Sequence, residues 1–364
     1  MKTIISGTAL AALCVGSAHA GGVERSTQSV GVLFEQGTYA ELSFTTFDPK
    51  VSGTALGQLS GDMSPSYSSY SLSYKQALSD SLDLALILDQ PIGADIAYPS
   101  GTTYIGTGAT ATLESTAVTA LIRYKFPSNI SLIGGLRVQR TNGDVFLPYA
   151  GDYTLSTSHE TDFGYVLGIA WEKPEIAARV ALTYNSAITH AFDAVESSAA
   201  SGFANLDTTF KTEIPQSVNL EFQTGVAADT LLFGSIRWVD WTAFEIAPEH
   251  YTTTLAINPS GEPLVFYTND VVTYNLGLGR RFNDTWSGAV LVGYEKHQGD
   301  PVGNLGPKDG YASLGLAATY TKDNMKITGG VRYVDIGNAT TRNIGGDFRN
   351  NSGWGAGLRI GVSF

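Results

Sequence analysis

The 364 residues carry a formal net charge of −12, only 15% charged side chains, 41 glycines, 18 tyrosines and one cysteine. An acidic balance of this kind excludes nucleic acid as a partner, because phosphate backbones are held by basic faces. The cysteine, Cys14, lies within the leader, so the rest of the chain can form neither a disulfide nor a thiolate metal site.

Met1–Ala20 reads as a secretory leader. Lys2 supplies the positive charge, Ile4–Val15 the short apolar core, and Ala18-His19-Ala20 the small-residue cleavage site. Beyond it no stretch is long and apolar enough for a membrane helix. Many short alternating segments at near-neutral hydropathy are how a membrane β-barrel is written. Residues 21–38 do not alternate. Val30, Leu33 and Phe34 form one face of a short helix, and Gly37 stops it. A solvated tail seldom carries Val-Leu-Phe together, so this segment is expected to fold into the barrel as a plug, or hatch.

Residues 39–364 divide into about fourteen strands. They run Tyr39–Val51, Ser66–Leu78, Leu82 onward, Ala109–Phe126, Ile130–Leu147, Asp162–Glu172 and Ile176–Phe192. They continue with Asp207–Val226, Leu231–Ile246, Val265–Phe282, Trp286–His297, Tyr311–Thr321, Met325–Ile336 and Ser352–Phe364. Long connections follow odd-numbered strands and tight turns follow even-numbered ones. With an even count both termini fall on the short-turn side, as in outer-membrane barrels. Closure is what lets so many strands avoid an open edge in lipid.

The last strand shows the pattern most clearly. Trp354, Ala356, Leu358, Ile360, Val362 and Phe364 share one face, while Gly355, Gly357, Arg359, Gly361 and Ser363 share the other. The first face suits acyl chains and the second a lumen. The same alternation turns Arg123, Arg137, Arg179, Arg237, Arg332 and Arg359 inward, along with Asp83, Glu221, Gln223, Glu295 and Asp335. An arginine facing lipid at mid-membrane would cost about 2–4 kcal/mol. Arg123, Arg137, Arg237, Arg332 and Arg359 are candidate contacts for an acidic headgroup in the lumen.

The third strand runs into Pro91-Ile92-Gly93-Ala94-Asp95, with Tyr98 and Pro99 beyond. Proline removes a ladder donor and glycine invites a bulge, so an inward kink that opens the wall sideways is one reading; the other is a strand that simply ends. Catalytic and metal sites find no support. His159, His190, His250 and His297 fall mostly in or near loops, without a nucleophile elbow or a His-x-x-x-His pair. No cofactor is expected.

Three stretches together resemble the FadL-type (OMPP1/FadL/TodX) hydrophobic-compound transporters of the outer membrane. They are Phe34–Thr54 (FEQGTYAELSFTTFDPKVSGT), Pro91–Pro99 (PIGADIAYP) and Leu232–Phe244 (LFGSIRWVDWTAF). The resemblance implies a monomeric fourteen-stranded transmembrane barrel in the bacterial outer membrane, with lipid and lipopolysaccharide around it. It implies passive uptake of long-chain fatty acids or of aromatic or aliphatic hydrocarbons. It places the hatch at 21–38 and the lateral opening at Pro91, Gly93, Ala94, Asp95 and Tyr98. It also makes Phe364 an assembly signal for the barrel-assembly machinery. The competing expectation is a general or sugar-type diffusion porin, which needs neither the Val-Leu-Phe segment nor the break after the third strand.

Overall fold

The computed structural model of the chain describes residues 22–364; the leader Met1–Ala20 lies outside them. Period-two alternation yields fourteen antiparallel barrel strands. They are β1 (Tyr39–Lys50), β2 (Tyr67–Ala77), β3 (Leu82–Asp89 and Gly93–Ala97), β4 (Thr110–Lys125), β5 (Ile130–Leu147), β6 (Glu160–Lys173) and β7 (Ala178–Asn185 and Ile188–Ser197). The rest are β8 (Leu206–Ile214 and Ser217–Ala227), β9 (Thr230–Val239), β10 (Val271–Arg281), β11 (Trp286–Glu295), β12 (Tyr311–Lys322), β13 (Met325–Ile336) and β14 (Asn351–Ser363). Neighbours in sequence are neighbours in space. β14 closes the barrel on β1, in register from Tyr39↔Ser363 to Lys50↔Ser352.

The outer face is an apolar belt. Leu42, Phe44, Leu136, Leu167, Leu276, Leu314 and Leu358 are all exposed, and the residues between them point inward. Aromatic side chains ring both margins. Trp286 meets Tyr320 (5.2 Å between ring centroids) and Tyr124 meets Phe126 (4.9 Å) on the short-turn side; Tyr333 meets Trp354 (5.2 Å) on the loop side. Amphipathic rings prefer such interfaces, so the belt has the form of a lipid-spanning wall. Among the described residues no helix is long and apolar enough to cross a membrane.

Several predicted boundaries move, each for a local reason. β9 stops at Val239 because Trp241, Phe244 and Tyr267 form an aromatic cluster in the following loop, with centroids 5.3–5.8 Å apart. Val265–Phe266, expected to begin the tenth strand, instead pairs with Glu245–Ile246 inside that loop, and β10 starts at Val271. β7 continues to Ser197, past the expected loop start at Asp193. β8 breaks at Pro215, which has no N–H for the ladder. Asp335, expected in the lumen, is exposed on the outer face. It lies three residues from the inward Arg332, and an odd spacing reverses the side. It sits near the loop end of β13, where an exposed carboxylate meets water and headgroups.

Within the segment before β1, residues 23–35 pack against the inward faces of the strands, while Gln36 and Gly37 are exposed. Gly31–Phe34 forms a single 3-10 turn, and Val30, Leu33 and Phe34 are buried in one cluster with Ala85, Leu121, Ile133, Val166, Ala170 and Ala181 of β3–β7. The inward side of β3–β7 thus gives this turn an apolar patch bordered by Arg123 and Arg179. Phe34 sits between two guanidinium groups, with Arg123 and Arg179 each 4.3 Å from the ring centroid.

Candidate functional site

β3 is interrupted where the sequence placed Pro91 and Gly93. Its first half pairs with β2 only from Ala77↔Asp83 to Leu72↔Leu88. Its second half pairs with β4 alone, from Gly93↔Glu114 to Ala97↔Thr110. Four residue steps from Asp89 to Gly93 face three from Glu114 to Ala117, so β3 carries one extra residue, a bulge. Ser115 Oγ fills the gap in the ladder, accepting from Ile92 N at 2.9 Å and donating to Ile92 O at 2.6 Å. As a result Tyr67–Ser71 of β2 keep their β1 partners, but the ladder toward β3 begins only at Leu72, and among the described residues Ser68–Ser71 have no ladder partner on that side. The Gln90 side chain reaches across, accepting from Tyr70 N at 3.1 Å.

The N-terminal segment takes up the bonds that β2 does not. Glu24 and Ile92 form an antiparallel bridge, Arg25 N donates to Pro91 O and Gly93 N to Val23 O, both at 2.8 Å. Arg25 reaches Asp95 at 2.5 Å and lies 4.0 Å over the Tyr67 ring. Gly93 is needed for this approach, since a Cβ there would lie 2.6 Å from Arg25 Nε. On the far side Glu24 pairs with buried Arg237, Asn219 donates to Thr27 O at 2.9 Å, and Ser29 donates to Glu221 at 2.6 Å.

Three cavities follow from this arrangement. The loops after β5, β9, β11 and β13 and the upper walls of β4–β8 enclose an apolar one of about 170 Å³, lined by Leu155, Phe192, Phe210, Phe244, Tyr251 and Tyr267 among others. A smaller one of about 70 Å³ lies between the N-terminal segment, the second half of β3 and the start of β2, against Phe47 and Tyr67. The two share Val23, Ala94, Ile96, Tyr267, Leu305, Gly306 and Lys308, so these residues form the partition between the apolar cavity and the unpaired edge of β2. A third, of about 220 Å³, lies on the other side of residues 25–35 and is lined by polar groups including Glu221, Asn275, Arg332 and Arg359.

Lys308 is the cation of the partition. It has no ion-pair partner among the described residues, and burial, followed by the charge of Arg25, pushes its ammonium down to about 8. It shares the lining of the upper cavity with Lys296, Arg342, Glu262, Glu295, Asp300 and Asp309.

The residues singled out from sequence separate into groups. Val30, Leu33 and Phe34 lie in the luminal apolar cluster, and Gly37, in the left-handed region at φ 63°, gives its carbonyl to Lys75 Nζ at 2.9 Å. Pro91, Gly93, Ala94 and Asp95 line the break or touch the segment that covers it. Tyr98 lies elsewhere, stacked on Tyr104 at 5.4 Å and donating to Asn304 O at 2.6 Å. None of Arg123, Arg137, Arg237, Arg332 and Arg359 lines the apolar cavity. Arg237, Arg332 and Arg359 line the polar one. Arg123 pairs with Glu172 and Asp83, and Arg137 donates to Thr119 at 2.9 Å. Sequence reading missed Lys308 and the loop aromatics Phe244, Tyr251 and Tyr267. The sequence reading put Phe244 and Tyr267 within the ninth and tenth strands and Tyr251 in the long loop between them, and Lys308 carried no signal beyond its place between Pro307 and Asp309.

No family model matches the chain, and no curated protein matches it by sequence. Solved structures do match over nearly its full length. A Pseudomonas aeruginosa FadL homologue is 14% identical, covers 92% of both chains and superposes with a TM-score of 0.75. The fold is that of the FadL-type barrels. The Pseudomonas putida toluene transporter TodX is 12% identical over 96% of both chains (TM-score 0.67). The Ralstonia pickettii toluene transporter TbuX is 11% identical over 91% of this chain and 90% of its own (TM-score 0.64). At these identities the FadL-type likeness speaks for architecture, and the chemistry rests on this chain's own residues.

Proposed function

We propose that the protein is a monomeric outer-membrane channel for passive uptake of hydrophobic compounds. In this reading solute enters the apolar cavity from the loop side and crosses the Val23–Ala94–Leu305 partition. It then leaves sideways into the bilayer where β2 has no partner on β3. The observation that carries the reading is the adjacency of an apolar cavity and an interrupted wall, with residues 22–38 acting as the hatch that separates both from the polar lumen. Burial of solute in the cavity is driven at about 25 cal/mol per Å² of apolar surface, and the concentration gradient supplies the direction. The third cavity carries Arg179, Arg237, Arg332, Arg359 and Glu221 among its lining, so an apolar solute taking it to the periplasm would have to displace water from these groups. In this reading Phe364, 77% exposed on the short-turn side with its N–H bonded to Thr38 O at 2.9 Å, serves as the assembly signal.

Reconstitution into liposomes tests the reading against a diffusion porin. Transfer of palmitate or an alkylbenzene should rise with the amount of barrel, while liposomes in arabinose should not swell. Free passage of arabinose would sink the proposal.

Lys308 favours hydrophobic acids over plain hydrocarbons within this class. Its charge is present below about pH 8 and fades as pH rises through that value, while a fatty carboxylate stays ionised throughout. Binding of palmitate relative to an alkylbenzene should therefore fall between pH 7 and 9. Lys308→Met should lower the ratio at pH 7 by about tenfold, the worth of one charge-assisted contact. A ratio indifferent to both pH and the substitution would remove Lys308 from solute recognition.

A further inference from the structure

A row of polar side chains that transport of a plain hydrocarbon does not use crosses β5–β8; its two ends, Thr141 and Thr212, line the apolar cavity, while Asp162 and His190 lie outside the lining. Thr141, Asp162, His190 and Thr212 come from four successive strands. The ladder sets Thr141 opposite Glu160, two residues before Asp162, and His190 opposite Thr212. His190 Nδ1 lies 2.8 Å from Asp162 Oδ2, and His190 Nε2 lies 3.1 Å from Thr141 Oγ1.

Hydrogen-bond inventory fixes the direction of this chain. The Asp162 carboxylate only accepts, so it takes the Nδ1 proton. Nε2 of the neutral ring is then an acceptor, and Thr141 spends its one proton on it. Gln139 Nε2, 3.3 Å away, donates to the Thr141 oxygen, which keeps one further acceptor site. Thr212 is the complement. Its hydroxyl has no hydrogen-bond partner among the described residues, although the residue is only 4% exposed. Both Thr141 and Thr212 line the cavity. A buried hydroxyl left unsatisfied in a cavity wall calls for an explanation.

We propose that this row is a recognition site for a hydroxyl group on a hydrophobic solute, of the alkylphenol class. The solute O–H donates to Thr141 Oγ1, and its oxygen accepts from Thr212 Oγ1. A ketone or ether can use only the second contact, and an alkane or alkylbenzene neither. The aromatic lining by Phe192 and Phe210 suits a ring attached to that hydroxyl. Asp162 acts through His190 as a positioning residue, holding the tautomer that makes Thr141 an acceptor toward the cavity. The proposal rests on the cavity being the solute site.

The test is equilibrium dialysis of 4-propylphenol and propylbenzene against the full barrel in nanodiscs, with partition into empty nanodiscs subtracted. The wild-type barrel should bind the phenol about tenfold tighter, and Thr141→Val with Thr212→Val should bring the ratio to about one. The serine variants T141S and T212S, which keep the hydroxyl, should retain the preference and control for folding. Asp162→Asn should reduce the preference and shift the ¹⁵N resonances of the His190 ring together. If propylbenzene binds without preference for the phenol, or the preference survives the double valine variant, the hydroxyl site is wrong. If neither compound binds, the cavity is not the solute site and both readings fall.

Discussion

Ala94→Trp is expected to cut uptake of palmitate or an alkylbenzene by about tenfold or more, because a bulky ring in a tight passage costs at least 1–3 kcal/mol to displace. Ala94 belongs to both the apolar cavity and the smaller one beside β2, so its side chain sits in the partition between them. The indole would fill most of the smaller space, which measures about 70 Å³. The ladder around it needs no change, since Ala94 pairs with Leu113 through backbone alone. The variant should still bind solute in the upper cavity while failing to pass it on. Binding measured by fluorescence displacement and transfer measured into liposomes separate the two steps. Unimpaired transfer through A94W would mean that solute does not cross this partition.

The largest stability effect is expected at Asp83. This β3 carboxylate is 1% exposed and faces three cations: Lys75 Nζ at 3.0 Å, Lys125 Nζ at 3.1 Å and Arg123 Nη1 at 3.9 Å. Asn is nearly isosteric, so Asp83→Asn removes charge with little change in packing. It leaves Lys75, only 3% exposed, beside two further positive groups. Breaking a buried ion pair in this way costs about 3–5 kcal/mol. The urea midpoint of the barrel in lipid should fall accordingly, and adding Lys75→Met should recover part of the loss, because the two sites share one network. An unchanged midpoint in D83N would show that water in the lumen already screens the cluster.

The barrel was legible because its signal is repeated. Each strand states the same rule of apolar outside and small or polar inside, and the alternation of long and short connections gives the two ends. The inward arginines were legible for the same reason, whereas the parity slip at Asp335 shows that the rule holds only when counted from an anchored neighbour. The break at Pro91–Gly93 had a local signature, since proline and glycine disturb a ladder whatever surrounds them. What it leads to was not legible. The Glu24–Ile92 bridge joins residues far apart in sequence, and no local pattern announces that a chain end will supply a missing β partner. The apolar cavity was hidden for a similar reason. Phe244, Tyr251 and Tyr267 belong to a loop without period, and Lys308 becomes distinctive only when folding places it beside Val23, Ala94 and Arg25. The Asp162–His190–Thr141 row was equally silent, because its members come from three strands and none stands in a motif.

The central claim, that hydrophobic solute leaves sideways at the β2–β3 break, is tested most directly by photocrosslinking. A fatty acid or alkylbenzene bearing a diazirine would be supplied from the loop side of the barrel in lipid, and the adducts mapped by mass spectrometry. Adducts should appear on cavity residues such as Phe192 and Phe244, and then on Phe47, Ile96 and Tyr67 beside the break. Residues of the polar lumen such as Asn275 and Arg332 should remain unlabelled. Labelling of the polar lumen with none at Phe47, Ile96 or Tyr67 would contradict the account and place the route straight through the barrel.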